Sequence, residues 1–393
     1  MPTFKDLQNS SVILVTCPKG LSAYCAKEIE SLSFKISSQF PTGVSLRGSF
    51  SDCMTLNLSL STAHHILFRL KEFTCNTPED LYKEVLAIDW EHIVPTNGYI
   101  SVTSVVHTAS INDTRYANLK CKDAIVDRLV KQTGKRCESG NRRDRMVVHV
   151  YWNDDRCIIY LDTSGEPLSK RGYRFIPGSA PMQETLAAAV VRTTGWNSSS
   201  TFVNPMCGSG TLAIEAALLG LHRAPGIMRT NFGFMHCAVY DPDEYSRLRT
   251  KLFSMEKKAS ASLPGSPGRI LATDSDPSAL AAAKRNAKAA KVENCIEFGL
   301  CDFKETVIPA EKGIVIFNPE YGIRMGNATE LQATYKDIGN FFKQRCSGYT
   351  GFVFTGNYDL AKRIGLKARK KYQFVSGKIE CRLYEYELYE GRK

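Results

Sequence analysis

The sequence predicts an α+β amino-terminal half followed by a doubly wound α/β domain. Three observations carry this. From about residue 181 onward, short apolar runs alternate with amphipathic stretches of helical length, the pattern of parallel strands joined by helices. Before that point, strand-like and helix-like segments follow one another without such regularity. The chain of 393 residues, 43% of them hydrophobic, is long enough to bury more than one core.

In the amino-terminal half, residues 12–16 read as a strand, and 20–32 as an amphipathic helix with Leu21, Cys25, Ile29 and Leu32 on one face. An alternating run covers 44–50. Residues 54–73 carry Leu56, Leu60, His64 and Leu67 at helical spacing and are expected to be helical. Pro78 opens a further helix through Leu81, Val85 and Ile88. Residues 99–107 return to strand. Residues 116–133 form a helix with Ala124, Ile125 and Leu129 inward and Lys120, Asp123 and Arg128 outward. Strands at 146–152 and 157–162 meet at the turn Asn153-Asp154-Asp155. In the second half the expected order is helix 181–195, strand 201–203, helix 210–222, strand 269–273, helix 277–290, strands 295–298 and 313–317, helix 329–345 and strand 350–354. The Ser/Pro/Gly-rich stretch 256–268 reads as a loop inside this domain.

Composition narrows the function. Formal net charge is +11, with clusters at Lys135-Arg136, at Arg142, Arg143 and Arg145, and at 367–371, which favours a polyanionic partner over a merely solvated basic surface. Thirteen cysteines with no Cys-x-x-Cys pair argue against a zinc site or a disulfide framework, so reduced thiols and no structural metal are expected. No apolar run is long enough to span a membrane and no signal peptide is visible, so a cytoplasmic protein without a membrane partner is expected. The pair His64-His65 lacks acidic or thiol neighbours in sequence and reads as packed or surface histidines.

Two segments carry the chemistry. Asn204-Pro205-Met206-Cys207-Gly208-Ser209-Gly210-Thr211 follows the apolar run 201–203 and leads into a helix, so a strand feeds a glycine turn that lets backbone approach a ligand. The turn lacks the Lys-Ser/Thr of a phosphate loop, and Ala213 stands where a dinucleotide fingerprint needs its third glycine; a smaller adenosine cofactor remains. Asp274, ending the next strand, is suited to accept two ribose hydroxyls, while Asp276 before Pro277 is the better helix cap. Asp302 is a candidate acceptor for an adenine amine, with Phe303 packing on the ring.

The second segment, Asn318-Pro319-Glu320-Tyr321, follows the strand 313–317. An exocyclic base amine is a poor nucleophile because its lone pair is delocalised. Two acceptors gripping its N–H bonds, Asn318 Oδ1 and the Pro319 carbonyl, draw the nitrogen toward a reactive tetrahedral form. Tyr321 offers a ring on which an extruded base can stack. The pair of segments reads as a methyltransferase acting on a base amine, although the second alone would also suit an ordinary Asn-Pro turn.

Together with Lys170-Arg171-Gly172-Tyr173-Arg174, Ala180-Pro181-Met182-Gln183-Glu184-Thr185, Ile214-Glu215-Ala216-Ala217, Ala224-Pro225-Gly226 and Phe232-Gly233-Phe234, these motifs resemble the THUMP-domain class I RNA guanine-N2 methyltransferase family, which includes bacterial large-subunit ribosomal RNA enzymes. The resemblance covers nearly the whole chain. It implies a ferredoxin-like region at 1–70, a THUMP RNA-binding domain at 71–165, a linker at 166–180 and a Rossmann-like methyltransferase domain at 181–393. It implies S-adenosylmethionine as cofactor, with Gln183, Glu184, Thr185, Asn204, Met206, Cys207, Gly208, Ser209, Gly210, Asp274, Asp302 and Phe303 around it, and Asn318, Pro319 and Tyr321 as catalytic residues. Structured RNA, taken as ribosomal RNA, would be held by Lys135, Arg136, Arg142, Arg143, Arg145, Lys170 and Arg171. Transfer RNA, an adenine N6 amine, or a catalytically silent RNA-binding assembly factor are the alternatives. The family commonly has aspartate where Asn204 stands and a second proline where Glu320 stands. Asn204 keeps an acceptor but loses charge, and Glu320 adds a carboxylate beside the target.

Overall fold

A computed structural model describes residues 10–174, 182–262, 268–321 and 328–389. Two compact units share the chain. The first holds residues up to Cys17, Cys25–Leu168 and Arg229–Lys251; the second holds Pro18–Tyr24, Ser169–Met228 and the chain from Leu252.

The first unit contains β1 (Ser11–Thr16), most of α1 (Ser22–Ser31), β2 (Ile36–Phe40), β3 (Gly43–Gly48), α2 (Phe50–Ser59), β4 (His65–Thr74), α3 (Pro78–Leu86), β5 (Tyr99–His107), α4 (Thr114–Thr133), β6 (Glu138–Ser139), β7 (Met146–Asn153) and β8 (Arg156–Asp162). Its eight strands form one sheet in the order β2-β3-β1-β4-β8-β7-β5-β6.

The expected helix over 54–73 is corrected here. The helix stops at Ser59 and a ten-residue strand starts at His65. Two local devices explain the break. Ser49 and Asp52 form a reciprocal capping box that starts α2 four residues earlier than the hydrophobic spacing suggests. At the other end the buried Glu28 carboxylate accepts the backbone N–H groups of Ser61 and Thr62, at 3.0 and 2.9 Å, and fixes a corner. Ile66, Leu67 and Phe68 are then buried in succession because β4 pairs with β1 on one side and β8 on the other. That continuous apolar run imitates helical spacing. The β7–β8 hairpin turns through Asp154 at φ 51, as the Asn-Asp-Asp signal requires.

In the second unit, α5 (Glu184–Thr193), β9 (Thr201–Pro205) and α6 (Thr211–Gly220) are followed by α7 (Pro242–Ser262), whose residues up to Lys251 group with the first unit. The helix corrects the expectation of a loop beginning at 256; residues 263–267 lie outside the described residues. Then come β10 (Ile270–Asp274), α8 (Pro277–Ala289), β11 (Ile296–Leu300), β12 (Gly313–Phe317), α9 (Ala328–Arg345), β13 (Thr350–Thr355), α10 (Tyr358–Arg363), β14 (Lys370–Ser376) and β15 (Ile379–Glu387). The sheet order is β11-β10-β9-β12-β13-β15-β14, parallel except for β15. Phe202, Val203, Val315 and Phe317 are fully buried, as expected of central strands covered on both faces. Connections from β9 run to one side and those from β12 to the other, so the order reverses between these two neighbours. Open α/β sheets bind ligands at the carboxyl edge of such a switch point.

Candidate active site

The two chemistry-bearing segments leave adjacent strands at that switch point. Val203 pairs with Val315, so Asn204 lies beside Ile316 and Asn318 emerges one residue past β12. Asn204 is 1% exposed; its Nδ2 donates to the Ile316 carbonyl at 3.0 Å, bridging the two strands. Its Oδ1 is buried and has no hydrogen-bond partner among the described residues, and the same holds for Asn318 Oδ1 and Thr185 Oγ1. A buried acceptor left unpaired costs about 1–3 kcal/mol, so the two on adjacent strand ends, Asn204 and Asn318, call for an explanation.

The glycine turn is shaped for close approach. Met206 and Gly208 have φ of 53 and 55, the former a strained value for a residue with a side chain. A Cβ at Gly208 would meet no atom within 4 Å, so this peptide faces open space, whereas at Gly210 (φ 82) it would meet Ala283 Cβ at 3.0 Å. The first glycine thus offers bare backbone and the second lets α8 pack against the turn. Asp274 Oδ2 accepts from Gly208 N at 2.8 Å and Oδ1 from Asp276 N at 3.0 Å, which ties the end of β10 to the turn and leaves lone pairs on both oxygens. Asp276 caps α8 through Ser278 N, as its position before proline suggests. Cys207 is buried beside this corner, and burial pushes its thiol well up, which keeps it neutral.

Asp302 caps a short 3₁₀ turn through Lys304 N at 2.9 Å, with its other oxygen 3.8 Å from the Lys304 ammonium. Phe303 packs edge-on against Phe317 and Phe341, at 5.6 and 6.1 Å between centroids, so the core fixes its ring. Gln183 is exposed and is the N-cap residue of α5. Glu184 accepts from Arg174 Nε at 2.8 Å, and Arg174 Nη2 also reaches the Met182 carbonyl at 2.7 Å and Thr211 Oγ1 at 3.1 Å. Arg174 therefore clamps the start of α5 to the start of α6, and Glu184 holds the clamp. Pro319 is buried, while Glu320 is exposed with its carbonyl accepting from Tyr335 Oη at 3.3 Å. Tyr321 is half-buried, its ring edge-on to Phe354 at 6.4 Å, and burial raises its phenol to about 12.

One expected contact is corrected. Arg171 is 1% exposed and lies 3.5 Å from Glu215 Oε1, which also accepts from Tyr173 Oη at 2.9 Å. A guanidinium sealed against a buried carboxylate cannot reach a phosphate, and burial raises the Glu215 carboxyl despite this partner. Lys170 is exposed, as are Lys135, Arg136, Arg142, Arg143 and Arg145; Arg142 pairs with Asp144 at 2.9 Å. In the 367–371 cluster, Arg369 is engaged by Glu385 at 3.2 Å.

Two residues that matter to the site lie outside the sequence expectation. Arg174 stood out in the sequence only as the last residue of the motif Lys170–Arg174, with no role at the site attached to it. Asn286 donates to the Ser209 carbonyl at 3.1 Å and anchors the turn from below. A signal for it existed: Asn286 falls on the buried face of α8 with Leu280, Ala283 and Ala287, where a polar side chain is normally spent on backbone.

All thirteen cysteines are free. Among the described residues no helix is long and apolar enough to cross a membrane, and no three metal-ligating side chains come together.

Comparisons with known proteins give a family. Residues 12–67 match the RlmL ferredoxin-like domain, 75–162 the THUMP domain and 171–385 the RMKL-like methyltransferase domain. The chain is 33% identical over 385 residues to "Ribosomal RNA large subunit methyltransferase K/L" of Syntrophotalea carbinolica, covering 96% of this chain and 53% of that protein. The counterpart of the same name in Ectopseudomonas mendocina is 33% identical over 94% of this chain and 52% of its own length. The chain thus spans about half the length of the curated relatives it matches.

Among solved structures, a predicted N6-adenine-specific DNA methylase from Listeria monocytogenes superposes with a TM-score of 0.85 at 28% identity, covering 96% of each chain. SMU.472, a candidate methyltransferase complexed with SAH, gives 0.84 at 26% over 98% of this chain and 99% of that one. By the match over 171–385, preceded by the ferredoxin-like and THUMP matches, the chain belongs to the RMKL-like methyltransferase-domain family and has its class I fold.

Proposed function

We propose that this protein transfers a methyl group from S-adenosylmethionine to the N2 amine of a guanine in ribosomal RNA. The observation that carries the reading is the unpaired, buried Asn318 Oδ1 at the switch point, one strand away from a turn that presents bare backbone. The names of the half-matched relatives and the SAH held by the similar SMU.472 support the substrate and cofactor classes.

The residues present fit the cofactor. The open peptide at Gly208 and the buried acceptors Asn204 Oδ1 and Thr185 Oγ1 suit its amino-acid end, with Gln183 and Glu184 framing that side. Met206, Cys207, Ser209 and Gly210 shape the turn around it. Asp274 has lone pairs left for vicinal hydroxyls, while Asp302 and the core-fixed Phe303 stand at the neighbouring strand end for the adenine. When bound, the cofactor supplies a methyl group on a sulfonium, whose departure needs no acid.

The chain's own residues do the rest. Asn318 Oδ1 and the Pro319 carbonyl accept hydrogen bonds from the two amine N–H groups and localise the nitrogen lone pair, and Tyr321 fixes the base plane. No strong base is needed, because an alkylated amine loses its proton readily. Proximity and alignment then supply most of the rate. The exposed cations Lys135, Arg136, Arg142, Arg143, Arg145 and Lys170 would hold the RNA backbone. A ribosomal RNA substrate and thirteen free thiols suit a cytoplasmic location.

The test is calorimetric titration with S-adenosylmethionine, then transfer of its labelled methyl to unmodified large-subunit ribosomal RNA and nucleoside analysis of the product. N2-methylguanosine is expected. No cofactor binding would leave a silent RNA-binding factor, and N6-methyladenosine, or label only in transfer RNA, would replace the substrate assignment.

A further inference from the structure

The strands β14 and β15 are joined by the two-residue turn Gly377-Lys378, closed by Ser376 opposite Ile379. Because β15 is antiparallel to both β13 and β14, β14 runs in the direction of β13, and this turn lies at the same sheet edge as Asn204 and Asn318. The register agrees: Thr355, the last residue of β13, pairs with Arg382, and Gly356 follows directly.

Gly356 is where the turn meets the proposed base platform. A Cβ built on it would come within 2.8 Å of Ile379 Cγ2 and 2.9 Å of Tyr321 Cε2. The missing side chain lets both residues close over one point of backbone, so Ile379 stands at the edge of the Tyr321 ring. Cys381, two residues on, donates its thiol to Tyr321 Oη at 3.8 Å and is 1% exposed, which fixes the far end of the phenol. Ile379 itself is 49% exposed, a large apolar side chain that the core does not use.

We propose that Tyr321 and Ile379 together form the floor for the target base and that the length of this floor selects a purine. The inference rests on the function proposed above and assigns to Ile379 a part in discriminating the guanine ring system from a pyrimidine. A cytosine also carries a ring-conjugated exocyclic amine that would satisfy the Asn318 acceptor. A single aromatic ring covers one six-membered ring, and the second ring of a purine needs further apolar surface beyond it. Ile379 provides that surface, whereas a pyrimidine would leave it exposed.

The experiment compares wild type with Ile379→Ala and Ile379→Leu, using labelled S-adenosylmethionine and unmodified large-subunit ribosomal RNA. Once the methylated position is mapped, a transcript carrying cytidine there is added. Ile379→Ala should lower kcat/KM for the RNA roughly tenfold, the usual effect of one apolar contact in a recognition pocket, and narrow the preference for purine over cytidine. Cofactor affinity should stay at the wild-type value. Ile379→Leu should restore most of the loss, which a change in turn geometry would not do. Wild-type kcat/KM and base preference in Ile379→Ala would overturn the inference alone. A wild-type protein that binds no cofactor or transfers no methyl would overturn the function on which it rests, and this inference with it.

Discussion

Asn318→Ala separates the catalytic reading of the Asn-Pro-Glu-Tyr segment from the structural one. Asn318 Oδ1 is buried without a partner among the described residues. An unsatisfied buried acceptor costs about 1–3 kcal/mol, so truncation relieves that cost while giving up the packing of a half-buried amide. The two effects oppose, and net stability should remain within about 1 kcal/mol of wild type, a melting shift of a few degrees at most. Turnover should behave otherwise. Loss of one preorganised polar contact to the reacting group lowers the rate about a hundredfold or more, roughly 3 kcal/mol of barrier. The assay is a single-turnover reaction with saturating labelled S-adenosylmethionine and excess protein over RNA, alongside thermal unfolding of the same preparation. A folded variant that methylates at the wild-type rate refutes the mechanism. A variant that loses several kcal/mol of stability shows the amide to be a structural part of the strand end.

Tyr321→Phe should be mild and Tyr321→Ala steep in the same single-turnover assay, because the first keeps the stacking face; equal rates in the two would remove Tyr321 as a platform. Asp274→Ala should weaken S-adenosylmethionine binding by roughly 1–3 kcal/mol in calorimetry, since it removes ribose acceptors and frees the Gly208 N–H it holds; unchanged affinity takes Asp274 out of the site. Neutralising Arg142, Arg143 and Arg145 together should lower RNA affinity and flatten its salt dependence with cofactor affinity unchanged, and an unaltered salt slope would contradict their role. Burial holds His64 and His149 at about 4, below the ordinary 6.5. The unfolded chain then binds more protons between those values, so stability should be full above pH 6.5 and fall as pH drops toward 4. Urea unfolding with a flat stability profile across that window would show that these histidines are not buried neutral.

How far the sequence could be read depended on whether the determinant was local. The strands β9, β10 and β12 were legible because short, mostly buried apolar runs that lead into Asn204, Asp274 and Asn318 leave little else for the chain to do. The α2–β4 corner was not, because it depends on Glu28, more than thirty residues away, accepting the N–H groups of Ser61 and Thr62. Edge strand β2 was also missed, for its residues are almost all exposed and carry no apolar alternation. The basic signal at Arg171 was misleading for a related reason. Charge is local information, whereas its burial against Glu215 belongs to the tertiary fold. The Arg174 clamp likewise reaches Glu184 and Thr211, segments that sequence spacing cannot bring together.

Asn204 stands where the family resemblance leads to an expected aspartate, and the asparagine suits this chain. Its amide must do two things at once, donating Nδ2 to the Ile316 carbonyl across the switch point and presenting Oδ1 as an acceptor. An aspartate at the same rotamer would set a carboxylate oxygen against that carbonyl, so the asparagine gives up charge toward a ligand ammonium and gains a bond between the two central strands. Left unpaired, Asn204 Oδ1, Asn318 Oδ1 and Thr185 Oγ1 together cost about 3–9 kcal/mol, an amount comparable with the whole net stability of a domain. The fold carries that cost at one edge and supports it with bonds placed just behind: Asn286 on the Ser209 carbonyl, Asp274 on the Gly208 N–H, and Arg174 between α5 and α6. Ligands that satisfied those atoms would return the cost as binding energy. The unpaired acceptors and the hydrogen-bonded frame behind them are therefore two parts of one device, and a substitution in the frame should weaken binding without touching a ligand.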